Sequence, residues 1–328
     1  DVYMEKYLQK PRHIEMQILA DGHGNVVHLG ERDCSLQRKH QKVLEEAPSP
    51  VLSPEQRAQI GKVACDAIKK LGYRNAGTIE FLYENGQFYF IEMNTRLQVE
   101  HPVTELVTGA DLVADQIRVA AGDQLGYPEE PQRFRGWAIE CRISAEDPEH
   151  NFVPSVGTIA FAREPAGPGI RVESALYNGF TVSEFYDPLV AKVTAWGRDR
   201  REAIRRMRRA LHEFQIVGVR TNLPFHMAVM EDTRFLAGEF DTGFLNTEIA
   251  PAELDTAEAR RAAVAVAALL SHQRRHPLAG LAAQAFDGQL ELTNGAKPAE
   301  TAGAGWKRAG RAASAATLRG TGWRRITG

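Results

Sequence analysis

Cysteine is scarce in this 328-residue chain: Cys34, Cys65 and Cys141 are its three, widely spaced and without a C-x-x-C pair. Such a set excludes a disulfide framework and suits a reducing compartment, so a cytoplasmic location is expected. Long apolar runs are also missing. A membrane-crossing helix needs about 20 apolar residues, and the best run, Ala262 to Leu270, falls far short. Nor is there an excess of one charge. The 40 basic and 42 acidic side chains leave a formal charge of −2, which gives no general attraction to nucleic acid or to a membrane. Neither a Walker loop nor G-x-G-x-x-G occurs, so any phosphate must be held by side chains or by another segment. No internal repeat is found. The opening Asp1-Val2-Tyr3-Met4-Glu5-Lys6 lacks the basic and apolar regions of a signal peptide and reads as the inside of a strand. A piece of a longer protein is expected.

What is present looks globular. Apolar residues make up 43% and charged residues 25%, close to the average for folded domains. Ile14 to Leu19 alternates as a strand, Asp21 to Asn25 supplies a turn, and Val26 to Leu29 returns as its partner. Ser53, Pro54 and Gln56 form a capping box ahead of a helix that Gly72 stops. Gly77 to Asn94 reads as a hairpin about Asn85-Gly86, with large apolar groups on both faces and hence an expected cover on each. Asp111 to Ala121 is a second helix, and Gly122 to Gly136 a boundary. Beyond it come a strand at Ala138 to Ile143, a bend at Pro165 to Gly169, a strand near Leu189 to Trp196 and an amphipathic helix from Asp199 to Phe214. The order indicates α+β. Thr256 to Ala268 is Ala-rich and helical in pattern. From Gly295 onward Glu300 is the only acid among seven basic residues, which is best read as a linker.

Chemistry concentrates in Glu92-Met93-Asn94-Thr95-Arg96-Leu97-Gln98-Val99-Glu100-His101-Pro102, which leaves the strand Phe88-Tyr89-Phe90-Ile91. Functional groups are commonly mounted where strands run out into loops. Charges at a strand end are also often merely solvated, but that reading does not account for Glu80 inside the apolar stretch Ile79 to Leu82. A two-residue loop at Asn85-Gly86 would pair Glu80 with Ile91 and send Glu92 to the opposite face. A three-residue loop, Asn85-Gly86-Gln87, would set Glu80 directly against Glu92. Paired carboxylates need a neutralising charge, and a divalent cation supplies it, with Asn94 facing the same way. Oxygen ligands favour Mg²⁺ or Mn²⁺, so the three-residue loop is expected. A second cluster, Arg32 to Lys42 followed by Glu45-Glu46, is either a solvated basic loop or the cationic wall of a polyphosphate site.

These residues resemble a known family. Tyr3 to Leu8 with Pro11-Arg12-His13, Glu31 to Lys42, Gly77 to Phe81, Phe90 to Thr104, Glu140 to Ile143 and Ala145 to Pro148 are all similar to biotin carboxylase, the ATP-grasp component of acetyl-CoA, propionyl-CoA, methylcrotonoyl-CoA and pyruvate carboxylases. The likeness runs from about Val2 to Leu245. It implies the C-terminal portion of an ATP-grasp fold at 1–130, the biotin carboxylase C-terminal domain at 131–248, and an Ala-rich helix with a basic linker at 249–328. It implies ATP-dependent carboxylation of carrier-borne biotin by bicarbonate through carboxyphosphate, with a Mg²⁺ or Mn²⁺ ion. Glu5, Lys6, Tyr7 and Leu8 match the hinge strand that contacts adenine, His13 a ribose contact, and Gln37 and His40 the phosphate contacts. Glu80, Glu92 and Asn94 match the metal ligands. Lys42, Arg96, Gln98 and Val99 match the bicarbonate site, Glu100 the base that deprotonates bicarbonate, and Arg142 the group that receives the biotin ureido oxygen.

The same resemblance implies a biotin carboxyl carrier protein or domain and a carboxyltransferase component as partners, and a homodimer for the complete protein. No Met-Lys dipeptide is present, so the biotinylated lysine is not expected here. The family's N-terminal domain and lid would lie ahead of Tyr3, so ATP binding by this piece alone is expected to be weak or absent. Two competing readings are another ATP-grasp ligase, which has no evident use for Arg142, and a non-catalytic assembly fragment of the same fold.

Overall fold

The protein is described by a computed structural model, which covers residues 2, 4–127, 134–246 and 264–268. One compact unit spans Asp1–Ala259 and a second Arg260–Gly328. In the second unit, residues 264–268 are helical and exposed. The rest of the expected Ala-rich helix and the basic tail lie outside the described residues.

The first unit is organised around an eight-stranded sheet in which every neighbouring pair is antiparallel. Its strands are β1 (Arg12–Ala20), β2 (Val26–Arg38), β3 (Gln41–Ala47), β4 (Asn75–Glu84), β5 (Gln87–Asn94), β6 (Trp137–Ser144), β7 (Ile170–Ser174) and β8 (Leu189–Gly197). They lie in the order β7-β8-β6-β3-β2-β1-β4-β5. The ladder between β3 and β6 carries the sheet across the expected boundary near residue 130.

Helix α1 (Pro54–Leu71) has the expected box: Ser53 accepts from the Gln56 amide, the Gln56 side chain answers to the Ser53 backbone, and Gly72 caps the far end in the left-handed region. Its Ile60, Ala64 and Ile68 pack on Met16, Ile18 and Ala20 of β1 and on Ile79 and Phe81 of β4. That burial occupies the even positions of β1. The odd positions His13, Glu15 and Gln17 therefore face away from α1, yet they too are buried.

Helices α2 (His101–Thr108) and α3 (Leu112–Ala121) lie beyond β5 in the chain. Sequence pattern does not reveal α2, whose first turn coincides with a polar run that reads as a loop. Val103 and Val107 of α2 pack with Ala47 and Ala138, and Leu112 of α3 with Leu19, Val27 and Leu29. Helix α4 (Arg200–Glu213), capped by Asp199, buries Ala203, Ile204, Met207, Ala210 and Leu211 in the largest core, together with Leu44, Ile139, Cys141, Ile143 and Val193.

Two expectations about the Gly77–Asn94 hairpin need correction. The loop has two residues, not three: Glu84 pairs with Gln87, and Asn85 and Gly86 both take positive φ, as a type I′ turn requires. Glu80 nevertheless pairs with Glu92, because the register shifts by one residue between Glu80 and Phe81. Ile91 is the extra residue of a β-bulge, and it resets the parity that the short loop would have imposed. Nor is the hairpin covered on both faces. Strand β5 is the sheet edge, with Phe90 65% and Ile91 43% exposed. The run Arg32 to Lys42 is no solvated loop either. It forms the β2–β3 hairpin, mostly buried and turning at Lys39-His40.

Candidate active site

The polar faces of β1, β4, β5, β3 and β6 converge on a cavity of about 360 Å³ lined by His13, His40, Lys42, Glu80, Glu92, Asn94, Arg96, Gln98, Val99, Glu100 and Arg142, among others. This size suits a small ligand. Eleven of the sequence-predicted site residues are thus brought together from segments up to 129 positions apart in the chain, His13 to Arg142.

Lys42, on β3, is the hub. Its ammonium contacts Glu15, lies 2.6 Å from Glu100 Oε1 and 3.3 Å from Glu80 Oε1. Burial opposes this cation, but Cys34, Glu15, Glu100 and Glu80 outweigh that and raise its pKa. The other oxygen of Glu100 accepts from Arg142 at 2.9 Å, and Arg142 Nε donates to Glu45 at 2.6 Å. Glu100 therefore sits between two cations and is itself 2% exposed. Its ion-pair partners are Lys42 and Arg142. Arg96 is exposed, lines the cavity and makes no ion pair among the described residues, its only side-chain bond being to the Leu97 carbonyl at 3.3 Å.

The paired acids share one face. Asn94 Nδ2 lies 2.8 Å from Glu80 Oε1 and 3.4 Å from Glu92 Oε1. Glu80 also accepts from Gln98 at 2.7 Å and bonds His13 Nε2 at 2.8 Å. Burial would raise the Glu80 carboxyl, but His13 and Lys42 hold it at about 2. Two carboxylates and an amide oxygen are a hard, all-oxygen donor set, which fits Mg²⁺ or Mn²⁺.

The expected nucleotide contacts are brought in less completely. Gln37 lies outside the cavity lining and holds His13 Nδ1 and the Cys34 carbonyl. His40 occupies the hairpin tip at φ 63°, beside Lys39 at φ 49°. Both side chains occupy left-handed positions that type I′ turns normally give to Asn and Gly, a strained choice of the kind that accompanies function. Glu5 to Leu8 do not form the expected strand: the segment has no ladder partner among the described residues, is largely exposed, and lies outside the cavity lining. Lys6 donates to the Tyr89 hydroxyl of β5 at 2.6 Å.

Four further residues escaped the sequence reading. Arg32 is fully buried and donates to Glu15, Gln17, Thr78, Gln98 and Thr104, joining β1, β4, α2 and the Gln98 loop. Glu15 is its counter-ion. Glu45 backs Arg142. Lys192 on β8 holds the Val99 carbonyl at 2.6 Å and pairs with Glu173. A signal existed for two of them. His13, Glu15 and Gln17 alternate with Ile14, Met16 and Ile18, and Lys192 stands alone in an apolar strand.

Burial would raise the Glu15 carboxyl, but Lys42, Arg32 and His13 together hold it at about 2, below its ordinary 4.5. A depressed carboxyl stabilises the fold above its unfolded pKa, and that contribution is lost as pH falls from 4.5 toward 2. It amounts to roughly 3 kcal/mol at neutral pH. Urea midpoints measured from pH 6 to 2 are expected to fall steeply below 4.5, and less steeply in Glu15→Gln.

Comparison with known proteins identifies the family. Residues 1–127 match the family described as carbamoyl-phosphate synthase L chain, ATP binding domain, and residues 140–247 match the biotin carboxylase C-terminal domain. The chain is 54% identical over 248 residues to biotin carboxylase 1 of Bacillus subtilis, covering 75% of this chain and 55% of that protein. It is 55% identical over 244 residues to biotin carboxylase of Allochromatium vinosum, covering 74% and 54%. Among solved structures, the biotin carboxylase domain dimer of Hydrogenobacter thermophilus 2-oxoglutarate carboxylase, bound to MgADP, ADP and bicarbonate, superposes with a TM-score of 0.73 at 51% identity, covering 74% of this chain and 54% of that one. The multifunctional pyruvate carboxylase of Rhizobium etli gives 0.73 at 47%, covering 75% and 25%. The chain thus spans about half the length of the curated relatives it matches. Over these residues it combines an ATP-grasp portion with a biotin carboxylase C-terminal domain, and it belongs to the biotin carboxylase family.

Proposed function

We propose that this chain forms the bicarbonate- and biotin-handling part of an ATP-dependent biotin carboxylase, working within an acyl-CoA or pyruvate carboxylase. The observation that carries the reading is the chain Lys42–Glu100–Arg142 at the wall of a cavity that also holds Arg96 and the paired acids. Bicarbonate is an anion, and Lys42 and Arg96 offer it counter-charge. Glu100 lies where it can take the bicarbonate proton, making the oxygen nucleophilic toward the terminal phosphate of ATP. The product, carboxyphosphate, gives up CO₂ beside biotin, whose ureido oxygen gains negative charge as its nitrogen loses a proton. Arg142 would receive that oxygen, and its guanidinium stays charged throughout. Glu80, Glu92 and Asn94 would hold a Mg²⁺ or Mn²⁺ ion, which supplies charge neutralisation on the phosphates when bound.

Residues 1–130, 131–248 and 249–328 are proposed as the ATP-grasp portion, the C-terminal domain and a linker. A biotin carboxyl carrier protein or domain and a carboxyltransferase component are the proposed partners. Likeness to a dimeric domain supports a homodimer for the complete protein. A cytoplasmic setting accords with three free cysteines and with no helix among the described residues being long and apolar enough to cross a membrane.

The test is bicarbonate-dependent ATP hydrolysis by the complete carboxylase, with and without biotin. Stimulation by biotin supports the reading, and ATP turnover indifferent to both bicarbonate and biotin overturns it in favour of another ATP-grasp ligase. The metal site has its own test. Glu80→Gln is expected to weaken Mn²⁺ binding on the order of 100-fold, read by electron paramagnetic resonance of free Mn²⁺.

A further inference from the structure

Behind Arg142 lies a pair of acids that the reaction does not use. Glu45 on β3 and Glu140 on β6 face each other on one rung of the ladder, so their side chains leave the sheet on the same side. Both are fully buried. Glu45 Oε1 accepts from Arg142 Nε at 2.6 Å, and Glu140 Oε2 accepts from Thr194 Oγ1 at 2.7 Å. The remaining oxygens, Glu45 Oε2 and Glu140 Oε1, are buried and have no hydrogen-bond partner among the described residues. Two orphaned carboxylate oxygens on facing residues are strongly disfavoured if both groups are ionised. A single proton between them satisfies both oxygens and removes one of the two charges.

We propose that Glu45 and Glu140 share one proton and act together as the positioning unit for Arg142, which loses its alignment when that proton departs at alkaline pH. The proposal rests on the reading of Arg142 as the group that receives the biotin oxygen.

The surroundings decide which acid carries the proton. Burial raises the Glu45 carboxyl and Glu100 adds to that, against the pull of Arg142 and Lys42, but Glu45 accepts directly from a guanidinium, which favours its ionised form over that of Glu140. Glu140 meets Arg142 on its own strand, Glu45 on β3, and Lys192 and Thr194 on β8, with only the hydroxyl of Thr194 donating to it. Helix α2, packed across β3 and β6, brings Val103 and Val107 against Ala47 and Ala138. Its titratable groups are engaged elsewhere, His101 with the Gln98 carbonyl and Glu105 with Arg171. Burial and the Glu45 charge push Glu140 up to about 8, against the pull of Lys192, Thr194 and Arg142. Glu140 is therefore the protonated partner at neutral pH and donates to Glu45.

Arg142 is then balanced by two full negative charges, Glu45 and Glu100. Dissociation of the Glu140 proton to solvent adds a third. The two facing carboxylates repel, Glu45 swings from its place, and the guanidinium is drawn back toward the dyad, away from the cavity. Because Glu140 is raised above its unfolded value of 4.5, it lowers folding stability progressively between pH 4.5 and 8 relative to a neutral side chain.

The experiment compares the complete carboxylase carrying wild-type sequence, Glu140→Gln and Thr194→Val. Infrared difference spectra taken across pH 6 to 10 are expected to show a protonated-carboxyl stretch in the wild type that titrates near pH 8. The band should be absent in Glu140→Gln and shifted to higher pH in Thr194→Val, where the donor to the ionised form is gone. Wild-type kcat/KM for biotin should fall about tenfold per pH unit above the dyad's midpoint, and Glu140→Gln should lose that limb. Its melting temperature should rise above wild type by an amount that grows from pH 5 to 8. No such band in the wild type, or an active Glu140→Gln enzyme with an unchanged alkaline limb, overturns the proposal. A dyad that titrates as expected in a protein with no biotin-dependent turnover would instead sink the assigned reaction and leave the shared proton standing.

Discussion

Glu100→Gln in the complete carboxylase is expected to lower kcat for bicarbonate-dependent ATP hydrolysis by on the order of 100- to 10,000-fold, the range for removing a positioned general base. Gln keeps the shape and can still accept from Lys42 or Arg142, whose distances to Glu100 are 2.6 and 2.9 Å. It cannot accept a proton. Because proton abstraction belongs to the transition state, kcat and kcat/KM should fall together, with little change in the KM for ATP. Steady-state rates at saturating ATP and varied bicarbonate measure this, and circular dichroism checks that the fold is retained. Turnover within a few-fold of wild type would place the base elsewhere.

Arg32→Met is expected to destabilise the protein by about 3–5 kcal/mol, the cost of removing one member of a buried ion pair. The guanidinium donates to five side chains and is inaccessible to solvent. Its loss leaves Glu15 with Lys42 as its remaining full cation, and Gln17 and Gln98 without their shared donor. A cycle with Glu15→Gln separates the pair from the rest, since residues in one network are not additive. The double variant should be more stable than the sum of the two singles predicts. Simple additivity in urea denaturation would show that Arg32 and Glu15 do not act as a pair.

The contrast between these two residues shows what could be read from the chain. Glu100 stands in a dense polar run after an apolar strand, where local sequence alone marks a site. Arg32 stands in a basic run whose alternatives, solvated loop or phosphate wall, both put its charge near water. It does neither, because burial depends on which strands lie on either side of β2, and β1 and β3 are both flanked further by other strands. The sheet order is a non-local property that periodicity does not encode. Glu15 was hidden for the same reason: an alternating strand looks half-exposed until its polar face is found covered. The α1 cap and the α4 apolar face were legible because both are settled within one or two turns of helix.

The hairpin is instructive in a different way. Pairing of Glu80 with Glu92 is expected from a cation shared between them, and the pairing holds, but through Ile91 rather than through a longer turn. Asn85-Gly86 is among the strongest short turn signals, and it formed the turn it favours. The extra residue was placed where the strand is an exposed edge, since an unpaired position disturbs fewest neighbours there. Chemistry thus set the register on the site side of the bulge, and local turn preference set it on the other.

The ladder that joins β3 to β6 has a mechanical corollary. Lys42 and Arg142 are carried by adjacent, mutually hydrogen-bonded strands in the middle of the sheet. Stiffness of that kind fixes the spacing of the two backbones before any ligand arrives, so the strands cannot close around it. Backbone amides of Leu44 to Ala47 and Ala138 to Cys141 should accordingly rank among the slowest to exchange with deuterated solvent. Accommodation is left to side chains such as exposed Arg96, which makes no ion pair among the described residues.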